Sequence, residues 1–123
     1  MMHSDIILEL VQIQTQFKFL HWQTKSYAKH NAYGQFYDNL TDLIDKYAEV
    51  CMGKHGRPDF DGEFSLTFKD IKQFSIQTFL DDATNFIVGI SEKLDSKNDT
   101  DLLNIKDEIL AEVNKLKYLV TLS

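Results

Sequence analysis

The sequence predicts an all-α fold, a four-helix bundle in which a long crossover joins the second helix to the third. Three observations predict it. Apolar residues recur at steps of three and four in four separate stretches of the chain. The segment Gly-Lys-His-Gly-Arg-Pro at residues 53–58 ends the second stretch. No stretch alternates apolar and polar residues in the way that favours a β-strand.

The first two predicted helices lie in the N-terminal half. The first is expected over residues 6–22, with Ser4 and Asp5 before it as start signals. Residues 23–29 are interpreted as a connector. The second helix is expected over about residues 30–52, because its apolar positions repeat with the helical period until the glycines begin.

The crossover and the last two helices follow. Residues 59–66 are expected to form an extended loop, and residues 67–74 a short helix. The third helix is predicted over residues 75–94, where Gly89 interrupts an otherwise periodic pattern. The fourth is predicted to begin at Thr100, a good capping residue, and to continue to the C-terminus.

Length and composition indicate one domain spanning residues 1–123. The chain is 43% hydrophobic and 12% aromatic, which suits a single globular core. Its net charge is −6, and no block of Lys and Arg stands at either end, so DNA binding is disfavoured. The N-terminus resembles no secretory signal, and no apolar run approaches the roughly 20 residues of a membrane span. We therefore expect a soluble, cytoplasmic protein without a membrane partner.

Several residues are interpreted as having no chemical role. Cys51, the one cysteine, lies in an apolar pattern and is expected to be a buried small side chain. Trp22 is interpreted as a packing anchor of the core. His3, near the N-terminus, and His55, in the glycine-rich segment, are interpreted as incidental.

The second helix carries an acidic face. Asp38, Asp42, Asp45 and Glu49 fall within about 60° of one another on a helical projection, and Lys46 is the one cation beside them. Like charges one turn apart cost roughly 0.2–0.5 kcal/mol for each pair. A solvated face is the ordinary interpretation, but four uncompensated carboxylates also indicate that a cation or a basic partner neutralises them.

Two histidines accompany this face. His21 is expected near the end of the first helix, at the margin of its apolar stripe and partly buried, and His30 at the start of the second. A core histidine bonded to a carbonyl is the ordinary interpretation of His21. Together with Asp45 and Glu49, however, two imidazoles suit iron, zinc or manganese, whereas calcium prefers oxygen ligands alone.

These residues together resemble a known family. Over residues 6–53 the chain resembles the Dps-type mini-ferritins of the ferritin-like superfamily, through four motifs: Phe19-Leu20-His21-Trp22, then His30, then Tyr37-Asp38, then the pair Asp45-x-x-x-Glu49. The resemblance implies a ferritin-like bundle and a homo-oligomer, a hollow dodecamer built from two-fold dimers. Similar small chains occur in bacteriophage genomes, which would place the protein in the host cytoplasm.

The resemblance also implies a site and an activity. His21 and His30 of one subunit, with Asp45 and Glu49 of a two-fold partner, would hold iron between subunits. Glu49 would be the main carboxylate ligand. The protein would then act as a ferroxidase that oxidises Fe²⁺ to Fe³⁺ with peroxide or dioxygen, and would store or detoxify the product.

The chain departs from the family at two points. The connector between the histidines is shorter than usual, and Gly34 stands where an aspartate is normal. Asp38, one turn further on, is the candidate substitute, directly or through water. A helical interaction or assembly protein that has lost the chemistry is therefore the competing hypothesis, and a structural zinc site is a third.

Overall fold

The computed structural model describes residues 3–122, and within this range every regular element is a helix. Two 3₁₀ turns, Ile71–Gln73 and Ile90–Lys93, flank the third α-helix. No strand occurs among these residues, which confirms the predicted all-α class. The α-helices, in chain order, are α1 (His3–Gln23), α2 (Tyr27–His55), α3 (Ile76–Gly89) and α4 (Thr100–Leu119).

The four helices share one apolar core. α1 packs on α2, α2 on α4, and α3 on α4. Phe17 of α1 lies at the centre and is fully buried. Its ring contacts four other aromatic rings at centroid distances of 4.8 to 6.2 Å, and these come from α2, from the crossover and from α3: Tyr33, Phe36, Phe74 and Phe79.

α2 begins earlier than the periodic pattern predicts. The helix starts at Tyr27, not at about residue 30, because Ser26 caps it. The Ser26 hydroxyl accepts a hydrogen bond from the Lys29 backbone N–H at 3.2 Å. The predicted connector of residues 23–29 therefore shrinks to residues 24–26, and α1 and α2 must lie side by side as an antiparallel hairpin.

α2 also ends later than predicted. The helix continues through Gly53 to His55 and stops at Gly56, whose φ of 84° is a conformation that glycine adopts readily. The Gly56 N–H donates to the Met52 carbonyl at 2.9 Å. The first glycine of the segment is thus tolerated in the helix, and the second ends it.

The crossover forms one 3₁₀ turn and not the short helix predicted over residues 67–74. Glutamines of α1 hold the preceding backbone in place. Gln16 bonds the Lys69 backbone at both its N–H and its carbonyl, each at 2.9 Å. Gln12 accepts from the Thr67 N–H at 2.9 Å. These backbone groups bond side chains of α1, so the segment needs no helix to satisfy them.

The last two helices differ from prediction at their ends. α3 ends at Gly89 and passes into the 3₁₀ turn, so the predicted single helix over residues 75–94 is wrong at its C-terminal end. Asp99, not Thr100, occupies the capping position of α4. Its carboxylate accepts from the Asp95 N–H at 2.8 Å and so closes the preceding turn.

None of the helices within residues 3–122 is both long enough and apolar enough to cross a bilayer.

The central position of Phe17 makes a stability prediction. Replacing it with alanine removes a buried ring with four aromatic neighbours, and should lower the free energy of unfolding by about 3–5 kcal/mol. Phe64, which is 56% exposed, provides the matched control, and Phe64→Ala should cost less than about 1 kcal/mol. Urea denaturation followed by circular dichroism measures both. Equal losses for the two variants would contradict the placement of Phe17 at the centre of the core.

Candidate functional site

The two predicted histidines meet at the turn between α1 and α2. His21 lies in the last turn of α1, and His30 lies in the first turns of α2. Their imidazole rings stack with centroids 3.8 Å apart and planes inclined by 17°. Both residues are half-buried, as the sequence predicts for His21. We call these two residues the histidine pair.

Each histidine of the pair forms a hydrogen bond to the backbone of the other. His21 Nδ1 lies 2.6 Å from the His30 carbonyl oxygen, and His30 Nδ1 lies 2.8 Å from the His21 carbonyl oxygen. Because a carbonyl only accepts, each Nδ1 must carry the proton and donate it. In the neutral form, a ring with its proton on Nδ1 keeps a lone pair on Nε2, which is the arrangement of many metal-binding histidines.

The hydrogen bond from His30 Nδ1 also satisfies a backbone carbonyl at the end of α1. The carbonyls of a last helical turn lack N–H partners within the helix, and the His21 carbonyl belongs to that turn. His30 Nδ1 supplies the donor. The Nδ1 atoms therefore agree with the ordinary interpretation, in which a histidine bonds a backbone carbonyl. The two Nε2 atoms have no hydrogen-bond partner within residues 3–122.

The predicted carboxylates lie elsewhere on α2. Asp38, Asp45 and Glu49 are exposed. At 1.5 Å per residue, Asp45 lies roughly 22 Å and Glu49 roughly 28 Å along the helix from His30. Among residues 3–122 of one chain, no three His, Cys, Asp or Glu side chains are placed to hold one metal ion. One subunit alone thus brings the histidines together without the acids.

The acidic face has no hydrogen-bonded or ion-paired partner among residues 3–122. The side chains of Asp38, Asp42, Asp45 and Glu49 form no hydrogen bond or ion pair with the described part of the chain, whose ion pairs involve other residues. Lys46 forms none either. The face therefore presents its carboxylates to solvent or to another molecule.

Exposed aromatic side chains lie near the end of α1, next to His21 in the sequence. Trp22 is 63% exposed, so its interpretation as a core anchor is wrong. Its ring contacts Phe19 edge to face at 5.9 Å. The Lys18 ammonium lies 5.5 Å from the Trp22 ring centre and 4.8 Å from that of Tyr37. Large exposed aromatic rings beside a cation are typical of a surface that binds another macromolecule.

A second histidine pair lies at the opposite end of the α1–α2 hairpin. His3 and His55 stack with ring centroids 4.2 Å apart, and the Cys51 sulfur lies 3.9 Å from His3 Nδ1. Burial raises the pKa of the Cys51 thiol, so it stays protonated, in keeping with the predicted inert side chain. The interpretation of His3 and His55 as incidental missed the stacking of their rings. The antiparallel pairing of α1 and α2 brings these two residues together.

The fold and the histidine pair define an all-helical protein with two stacked, hydrogen-bonded histidines at the turn between its first two helices. A family model described as a family of unknown function (DUF5856) matches residues 21–120, so the chain belongs to this family. The matched segment includes the histidine pair and the acidic face.

One curated relative comes from a bacteriophage. The chain is similar to an uncharacterized 14.6 kDa protein encoded in the mobD–ri intergenic region of Enterobacteria phage T4, with 46% identity over 48 residues. The alignment covers 39% of this chain and 38% of that relative. No solved structure matches the chain.

The second histidine pair makes a pH prediction. Burial, followed by the nearby His55, lowers the pKa of His3 below its ordinary value. Below about pH 6.5 the unfolded chain then binds more protons at His3 than the folded chain does, so the free energy of unfolding falls as the pH is lowered. Urea denaturation at pH 7.5 and 5.5 measures the fall.

His3→Gln is the test variant and should show a smaller decrease than the wild type between these pH values. Asp99 faces the same cluster and partly opposes the shift, so its charge must be left intact. A decrease in His3→Gln that equals the wild-type decrease would contradict the assignment.

Proposed function

We propose that this protein is a ferritin-like, Dps-type mini-ferritin that oxidises Fe(II) with peroxide or dioxygen at sites between subunits and stores or detoxifies the iron. The observation that carries the proposal is the histidine pair. Its two Nδ1 atoms are fixed by backbone carbonyls, which leaves two oriented Nε2 lone pairs for a transition metal.

The separation of the ligands supports a site shared by two subunits. Asp45 and Glu49 lie too far along α2 to reach the histidines of their own chain. A two-fold axis crossing α2 near Asp38, midway between His30 and these acids, would bring the acids of a second copy to the histidine pair. Because such an interface is isologous, it forms two equivalent sites at once.

The surface beside the histidine pair suits this interface. Trp22 and Phe19 offer exposed aromatic area to bury, and Lys18 offers a positive charge. The acidic face lies further along the same hairpin. In an antiparallel pair of subunits, Lys18 of one subunit would therefore lie against the acidic face of the other. Such complementarity orients the two partners.

The donor set suits the chemistry. Imidazole Nε2 atoms hold Fe(II), and the carboxylates of Asp45 and Glu49 stabilise the harder Fe(III) as it forms. Two Fe(II) ions give one electron each to hydrogen peroxide, which takes up two protons and leaves as two water molecules. Asp38 is the next candidate ligand, and zinc or manganese would suit the same donors. Acidic surfaces raise the local concentration of cations around the site.

The second candidate function is a helical assembly protein that binds a basic partner. The unpaired carboxylates of the acidic face favour it, because a partner's lysines or arginines would neutralise them as well as iron does. Oligomer size separates the two candidates. A hollow shell of about twelve chains supports storage, whereas a monomer or a single dimer supports a binding role.

Anaerobic titration of metal-free protein with Fe(II) tests the proposed function. The wild type should bind iron saturably and oxidise it quickly when peroxide or air is added. Glu49→Ala removes a ligand and should weaken Fe(II) affinity at least about tenfold, with the helical circular dichroism unchanged. Glu63, an exposed acid of the crossover, provides the control, and Glu63→Ala should behave as the wild type does.

Two outcomes would contradict the proposal. Equal affinity and oxidation rate in Glu49→Ala and Glu63→Ala would remove Glu49 from the ligand set. Wild-type binding no greater than that of a buffer blank would overturn the iron function and favour the assembly protein.

A further inference from the structure

Gly34 occupies a helix interior where nothing in its backbone requires glycine. It lies in the first half of α2, and its φ is not positive, unlike those of Gly56 and Gly62. Glycine weakens a helix interior relative to alanine. The reason for a glycine at this position must therefore lie in what surrounds it.

The imidazole of His21 fills the space that a side chain at position 34 would need. A Cβ atom built on Gly34 would lie 2.7 Å from Cε1 and 2.8 Å from Nδ1 of His21. Its third-nearest neighbour, at 3.6 Å, is Nε2 of the same ring. Carbon atoms in contact are normally about 3.5–4.0 Å apart, so an alanine at position 34 and the present His21 ring exclude each other.

The His21 ring cannot move aside without loss. Its Nδ1 donates to the His30 carbonyl at 2.6 Å, and its face stacks on His30 at 3.8 Å. His30 Nδ1 is bonded in turn to the backbone of His21. A displaced ring would give up the bond that fixes its tautomer and the stack that orients it.

We infer that Gly34 is a positioning residue, whose missing side chain lets the His21 ring dock on α2 and form the histidine pair. This inference rests on the proposed function for its metal consequence, since it makes Gly34 a condition for presenting the two Nε2 atoms to Fe(II). The inference also gives a different explanation for the glycine that stands where the mini-ferritins normally have an aspartate. The His21 ring takes the place of the expected aspartate side chain, so Gly34 does not mark a loss of chemistry.

Gly53 supplies a matched control within the same helix. A Cβ built there would meet nothing within 4 Å, and its φ is not positive either. Gly53→Ala therefore changes helix propensity alone and should raise the melting temperature or leave it unchanged. Gly34→Ala carries the same gain in propensity but adds the clash with His21.

Thermal unfolding of a double-mutant cycle tests the steric part. Gly34→Ala should lower the melting temperature by about 5 °C or more in the wild-type background. In a His21→Ala background the ring is gone, and Gly34→Ala should raise the melting temperature or leave it unchanged, as Gly53→Ala does. The same loss from Gly34→Ala in both backgrounds would overturn the inference.

¹⁵N NMR of the imidazoles and Fe(II) titration test the positioning part. The wild type and Gly53→Ala should show the Nδ1–H tautomer at His21 and His30, and Gly34→Ala should lose it at His21. Fe(II) affinity should fall at least about tenfold in Gly34→Ala only.

The two proposals fail separately. A wild type that binds no Fe(II) would overturn the proposed function, while the NMR and thermal results would still decide the role of Gly34. Retention of both Nδ1–H signals in Gly34→Ala would overturn that role whatever the iron result.

Discussion

The three-residue turn between α1 and α2 is the constraint on which the site depends. With residues 24–26 alone to reverse the chain, the two helices must run side by side from the turn outward. His21 then lies against the first turns of α2, where its ring contacts His30 and the backbone of Gly34. The imidazole bonds in turn satisfy a carbonyl at the end of α1, so the turn and the histidine pair stabilise each other.

This constraint also explains why one chain does not bring the two histidines and the two acids together. The hairpin fixes the histidines at its closed end, while α2 continues as one long helix that carries Asp45 and Glu49 toward the other end. A rigid helix cannot fold back to join the two sets of ligands. The proposed iron site therefore needs a second copy in the opposite direction, and the exposed Trp22, next to His21 in the sequence, would give that copy a surface to cover.

Helical periodicity was enough to predict the all-α class, the four helices and the order of the candidate ligands. Helical periodicity could not predict contacts between residues that are distant in the sequence. Gln16 bonds the Lys69 backbone where a crossover helix was expected, and no pattern in the neighbouring sequence indicates these bonds. The early start of α2 had a local signal, Ser26, which a search for capping residues would have found. Gly34 could be explained only once the position of the His21 ring was known, because a steric reason for glycine lies in its neighbour.

The most direct test of the proposed shared site uses mixed oligomers of two variants that each lack one ligand. His30→Ala and Glu49→Ala chains, co-expressed with different tags and purified through both, form mixed oligomers. In these, each two-fold dimer of unlike chains, called a mixed dimer, has one intact site and one doubly altered site. The account predicts that each variant alone binds Fe(II) at least about tenfold more weakly than the wild type, and that the mixed dimers recover wild-type affinity at one of their two sites. Mixed dimers that bind no more Fe(II) than either variant alone would contradict a site built from two subunits.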